Sequence, residues 1–196
     1  MAIQVAGELY ESITGQLFEI GRQLRQPSGY PFDPNQLKVA LQNAIEGKFG
    51  TLYAIRHGDS RSAEQLLTAA NFDKVWDYAQ MFVGSKDFPI SKVAEEAEFE
   101  MVEFDHDPDT DEVLAEFARR GLERPFAEDA LRFGEKYPDV QLEHPIVFLH
   151  EPWRDPRGYL NVLCLNDWGG KRSLSTGTIG SRWVRACRFS GRRPRK

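Results

Sequence analysis

The chain has 196 residues and a mass of 22.4 kDa, room for one compact domain or two small ones sharing an interface. Hydrophobic residues make up 41% and charged residues 28%, a globular composition that excludes an extended disordered chain. The net charge of -5 hides an asymmetry: residues 158–196 hold nine Lys or Arg against the single Asp167, leaving -13 on the first 157. No apolar run exceeds four residues, as in Ile146–Leu149, so no membrane span is expected. The opening MAIQVAGELYE lacks a basic start and reaches Glu8 early, unlike a secretory signal, and a cytoplasmic protein is expected. Cys164 and Cys187 are too few for a disulfide framework or a cysteine zinc site, and their apolar surroundings suit core packing.

Residues 3–24 read as a helix, with Ala6, Tyr10, Ile13, Leu17, Ile20 and Leu24 spaced four and three apart on one face. Gly7, Gly15 and Gly21 weaken it in isolation, so its stripe is expected to pack on the protein's own core. QPSGYPFDPN follows as a loop. Asp33 before Pro34 reads as an N-cap with an N1 proline, and Gly47 closes a helix that buries Leu37, Leu41, Ala44 and Ile45. Thr51–Arg56 is a strand, and Ser62 with Gln65 is a capping box opening a helix to about Ala70. For residues 71–83, the period of Phe72, Val75, Trp76, Ala79, Phe82 and Val83 favours helix over strand. GSKDFPIS (84–91) is the expected linker between a mainly helical part, 1–90, and a second part, 91–196.

The second part opens with AEFEMVEFD (97–105), a strand whose alternation breaks at Met101–Val102 and so implies a bulge there. Val113, Leu114, Phe117 and Ala118 mark a helix ending at Gly121. Pro125 begins another, burying Phe126, Ala130, Leu131 and Phe133 and stopping at Pro138. Four strands follow at 146–149, 159–165, 171–175 and 182–189, with turn residues between them. Strand, helix, helix and four strands at hairpin distance imply an α+β protein with an antiparallel sheet.

With GLERPFAEDALRF (121–133) as the turn into the second helix and RWVRACRF (182–189) as the closing strand, this order resembles the C-type-lectin-like fold. The resemblance covers roughly residues 95–190 and implies that the first strand pairs with the last, two helices flanking the sheet. The stretch from VEFDHD to the closing RF is also similar to a group of uncharacterised bacterial proteins. Lectin-type members bind sugar through calcium with a Glu-Pro-Asn triplet and a later Asn-Asp pair. Here Glu151-Pro152 is followed by Trp153, and Asn166-Asp167 comes later, so Glu151, Asn166 and Asp167 are the metal candidates with one ligand missing.

Asp105, Asp107, Asp109 and Asp111, with Glu116 at position twelve, mimic an EF-hand skeleton, but Thr110 stands where the loop needs glycine. Capping of a helix by Asp109 and Glu112 explains the same residues. His57, His106, His144 and His150 form no metal spacing, and no Ser-His-Asp order, phosphate loop, HExxH or CxxC appears, so no catalytic residue and no cofactor is assigned. The expected function is a non-catalytic ligand- or protein-binding module using the loops 151–158, 166–170 and 176–181. Its contact candidates are Trp153, Arg154, Tyr159, Trp168 and Arg172. The alternative is nucleic-acid binding through Arg182, Trp183, Arg185, Arg188, Arg192 and Arg193, against which stands pairing of that strand with the acidic Glu98–Glu103.

Overall fold

The computed structural model describes residues 7–26, 34–45, 52–86 and 88–194, and the chain divides into two units, 1–49 and 50–196. The first unit contributes helices α1 (Glu8–Gln23) and α2 (Pro34–Ile45). The α1 stripe is not buried: Tyr10, Ile13, Leu17 and Leu24 are exposed. On α2, Leu37, Leu41 and Ala44 are half-buried, whereas Ile45 is 80% exposed, contrary to expectation. Asp33, Gly47 and the loop at 27–33 lie outside the described residues.

The second unit is α+β, built on one mixed seven-stranded sheet. Its strands are β1 (Leu52–His57), β2 (Lys74–Val75), β3 (Glu95–Val102), β4 (Ile146–Arg154), β5 (Leu160–Asp167), β6 (Arg172–Thr178) and β7 (Arg188–Arg192). They lie in the order β1-β3-β7-β4-β5-β6-β2. Among the described residues five helices complete the unit: α3 (Ala63–Ala70), α4 (Asp77–Val83), α5 (Thr110–Arg120), α6 (Ala127–Lys136) and the short α7 (Val140–Glu143). The boundary at 49/50 replaces the one expected near residue 90, because β1 pairs with β3 from Leu52↔Glu100 to His57↔Glu95 and ties residues 52–83 into the sheet. GSKDFPIS is no linker: Phe88 is buried against Phe82, ring centroids 5.0 Å apart.

Strand alternation sends side chains to two covered faces. Ile146, Phe148, Leu163, Leu165 and Leu174 pack with α3, α4 and α6 through Leu66, Phe82, Leu131 and Phe133. Val147, Leu149, Val162, Cys164 and Phe189 pack on the other face with Val113 and Phe117 of α5, Trp183 and Cys187. Burial on both faces explains why β4 begins as an unbroken apolar run. It also explains the broken alternation at Met101–Val102, where the expected bulge is absent: β3 holds register through Met101↔Ser190 and Val102↔Phe189.

The bulge lies instead in β4, where register with β5 shifts between Phe148 and Trp153. Pro152 has no N–H to give a ladder. Side chains replace the missing pairing: Arg124 donates to the carbonyls of Leu149 and His150 at 2.7 Å each, and Leu163 N–H donates to His150 Nε2 at 2.9 Å.

β3 does lie beside the last strand, but that strand is 188–192 rather than 182–189. Trp183 N–H donates to Pro108 O and its indole N–H to Thr110 Oγ1, which draws residues 182–187 away from the sheet. The sheet is also not wholly antiparallel, since β4 runs parallel to β7 and β2 to β6. Residues 71–83 are not one helix: β2 forms first, and α4 starts after Trp76. Capping followed the expected chemistry, with Ser62–Gln65 and Asp109–Glu112 boxes both formed.

Gly177 faces the buried Trp183 so closely that an added Cβ would lie 2.5 Å from the ring and 3.0 Å from Cys164 Sγ. Gly177→Ala is therefore expected to cost about 1–3 kcal/mol by overpacking. An unchanged denaturant midpoint would show that Trp183 can move aside.

Candidate functional site

The expected contact residues divide between two roles. Trp153 is a packing residue, stacked on Phe82 with ring centroids 5.2 Å apart and planes 20° off parallel. Arg154 donates to Gly158 O at 2.6 Å and stabilises its own hairpin. Arg172 donates to Asn71 O and Gly134 O and lies over the Phe72 ring, clamping α3 and α6 to the sheet; burial pulls its pKa down. Tyr159 and Trp168, by contrast, are 56% and 49% exposed.

Those two exposed rings belong to a strip that chain order concealed. Trp76, 44% exposed, meets Trp168 edge-on with centroids 6.1 Å apart. The Arg157 guanidinium sits 4.2 Å from the Tyr78 ring centre and 5.2 Å from that of Tyr159. Asp155 anchors this arginine at 2.8 Å, which raises the Arg157 pKa. Between the two ring groups opens a cleft of about 310 Å³, lined by Trp76, Tyr78, Arg157, Asn161, Thr176 and Thr178 among others. Asn161 is held by Thr178, whose hydroxyl donates to Asn161 Oδ1 at 2.9 Å. The strip thus follows β6 from the β5–β6 turn to the β4–β5 hairpin. A wider hollow of about 660 Å³ is lined by residues 60–65, 83–86, 88 and 90–92, but its one ring, Phe88, is already buried in the core.

Sequence reasoning missed Trp76, Tyr78 and Arg157. Trp76 fits an apolar helical period, although the strand-like Lys74–Val75 before Asp77 signals a break there.

The metal candidates do not meet. Glu151 lies in the β4 bulge, exposed and 3.5 Å from Arg124, whereas Asn166 and Asp167 lie across from the start of β4. At about 3.3 Å per residue the two ends are about 15 Å apart. Asn166 donates to Ser175 Oγ across the β5–β6 pair, and Asp167 accepts from Gly170 N–H in the turn between those strands. No group of three His, Cys, Asp or Glu that could hold a metal occurs among the described residues.

The basic C-terminal residues face acids. Arg188 pairs with Glu103 at 2.7 Å, Arg192 with Glu95, and Arg193 with Glu100 at 3.4 Å. Arg182 donates to Asp107 O, and Arg185 N–H to the Asp107 carboxylate. Trp183 is buried and cannot stack on a base.

A second feature absent from the sequence reading is a buried charge network between β1 and α6. His57 Nδ1 contacts Glu128, and Nε2 lies 3.0 Å from Asp129 Oδ1, an ion-pair distance without hydrogen-bond alignment. Arg132 joins Glu128 at 2.9 Å to Asp59 at 3.0 Å, and Ser91 N–H donates to the other Glu128 oxygen. Burial pushes the His57 pKa down, but Asp129 and Glu128 outweigh it and the net shift is upward. Both ring nitrogens face carboxylates and the side chain is fully buried, so no nitrogen is left for a substrate. His150 is likewise occupied at both nitrogens. Burial also raises the thiol pKa of Cys164 and Cys187, which suppresses thiolate reactivity.

No helix among the described residues is long and apolar enough to cross a membrane. Comparisons with protein-family models, with curated proteins and with solved structures find no match to this chain.

Proposed function

We propose that the chain is a non-catalytic binding module whose recognition surface runs along β6 from Trp168 to Tyr159. The observation that carries this reading is the run of exposed rings, Trp168, Trp76 and Tyr159, around a cleft with polar floor groups. Large rings and arginines left in water are what recognition surfaces concentrate: the rings bury much area while freezing few rotatable bonds, and Arg157 is already held by Asp155. A non-catalytic role is supported by the enclosure of His57 and His150 and the suppression of both thiols. Nucleic-acid binding is the weaker reading, since Arg192 and Arg193 are already paired with β3 carboxylates and Arg188 with Glu103 just after that strand. The C-type-lectin-like arrangement remains a proposal supported by β3 lying beside β7.

The test is a screen of wild type and a Trp76→Ala/Trp168→Ala variant against a glycan array and phage-displayed random peptides. Both rings are exposed, so the variant is expected to fold with about 1 kcal/mol or less of lost stability. Enrichment on wild type that disappears in the variant supports the reading. No enrichment on wild type, or equal enrichment on both, overturns it.

A further inference from the structure

We propose that the ligand of this surface is an extended peptide that adds as a strand to the unpaired edge of β6 at Thr176 and Thr178. This rests on the reading of the β6 strip as the recognition surface. β5 flanks β6 along its whole length, from Asn161↔Thr178 to Asp167↔Arg172. On the other side β2 covers only Ser173 and Leu174, because the chain leaves the sheet at Trp76 to enter α4. Trp76 N–H donates to Leu174 O at 2.9 Å, so Leu174 directs its peptide groups toward β2.

A strand turns those groups to alternate sides residue by residue. Thr176 and Thr178 therefore present theirs to the same edge as Leu174, beyond the point where β2 ends. Ile179 obeys the alternation from the other side, its N–H donating to Leu160 O of β5. The Ser181 hydroxyl donates to Thr178 O at 3.1 Å and occupies that acceptor. Among the described residues, Thr176 N–H, Thr176 C=O and Thr178 N–H remain as a donor, an acceptor and a donor at strand spacing. Both residues line the 310 Å³ cleft, with Trp76 and Tyr78 also on its wall.

Edges left open in this way are usually protected by charge or proline, yet after Arg172 β6 reads SLSTGT, with neither. An added strand supplies the missing partners through its own backbone, and alternate side chains reach the rings. Charge also favours a particular peptide. Lys74 Nζ sits 5.4 Å from the Trp76 ring centre, and no ion pair with a carboxylate engages it among the described residues. An acidic side chain near the Trp76 end would pair with it. The edge is recessed between the start of α4 and the 155–159 hairpin, which admits a single flexible segment more readily than the edge of a second folded copy.

The probe is a phage library of random peptides about ten residues long, from which the enriched sequence is synthesised and titrated. Thr176→Pro removes the outward N–H while sparing the ladder to β5, and Thr176→Ala keeps it. The expected result is an affinity loss of about tenfold for Thr176→Pro and less than about twofold for Thr176→Ala. The wild-type amide signals of Thr176 and Thr178 are expected to shift on binding. If Thr176→Pro fails to fold, peptides N-methylated at successive positions replace it, and loss at alternate positions supports strand pairing. Equal binding by wild type and Thr176→Pro, with loss in the Trp76→Ala/Trp168→Ala variant, overturns edge pairing while the recognition surface stands. Glycan enrichment without any peptide, or self-association abolished by Thr176→Pro, also overturns the peptide as occupant.

Discussion

Between pH 6.5 and pH 4 the folded chain is expected to lose about 3 kcal/mol of stability through His150 alone. The imidazole is buried in the β4 bulge, where Nε2 accepts Leu163 N–H at 2.9 Å and Nδ1–H donates to Glu151 O at 2.7 Å. Protonating Nε2 would destroy the first bond and place a charge in the core. Burial, with the nearby Arg124 cation, holds the pKa down to about 4 against an ordinary 6.5. The unfolded chain therefore binds the extra proton first as pH falls. The His150 contribution is complete above pH 6.5 and gone below about pH 4.

His57 works in the opposite direction. Its pKa is raised by Asp129 and Glu128, so its contribution is complete below pH 6.5 and is lost as pH climbs through the raised value. The two histidines together place maximal stability near pH 6.5. Denaturant midpoints across pH check this: His150→Gln should flatten the acid limb and His57→Gln the alkaline one. A wild-type profile that stays level from pH 6.5 to 5 would refute the His150 assignment.

Replacing His57 by Leu is expected to cost about 3–5 kcal/mol, because Glu128 and Asp129 would remain buried without the cation that faces both. Arg132 alone cannot compensate, since it is shared between Glu128 and Asp59. Glu128→Gln removes one of the stranded charges. The double variant His57→Leu/Glu128→Gln should therefore be less destabilised than the sum of the two single changes, by about 1–3 kcal/mol. Strict additivity in that cycle would mean that the His57–Glu128 pair contributes nothing to stability.

Much of the local structure was legible in the residues. Ser62 with Gln65 and Asp109 with Glu112 formed the capping boxes their spacing implies, and Gly121 ends α5 in the left-handed conformation. The acidic β3 and the basic last strand are neighbours, as their opposite charges imply. What failed was any inference that needed to know what lies on the second face of the sheet. Met101–Val102 imitates a bulge because both faces are covered, and Trp153 imitates a ligand contact because it follows a proline in a loop-like segment. Residues 182–187 imitate a strand because Trp183 and Cys187, four residues apart, serve a packed turn.

Short-range pattern was enough for most helices and strands, the Ser62–Gln65 and Asp109–Glu112 caps, the α+β class and the charge complementarity of β3 and β7, since each depends on neighbours a few residues apart or on overall sign. The strand order, the unit boundary at 49/50 and the His57–Glu128–Asp129 network came from long-range packing. It alone also brought Trp76 and Tyr78 together with Trp168, Arg157 and Tyr159. Those pairs lie about 70 to 90 residues apart in the chain. Nothing in short-range pattern specifies such contacts; they follow from which faces the whole core must bury.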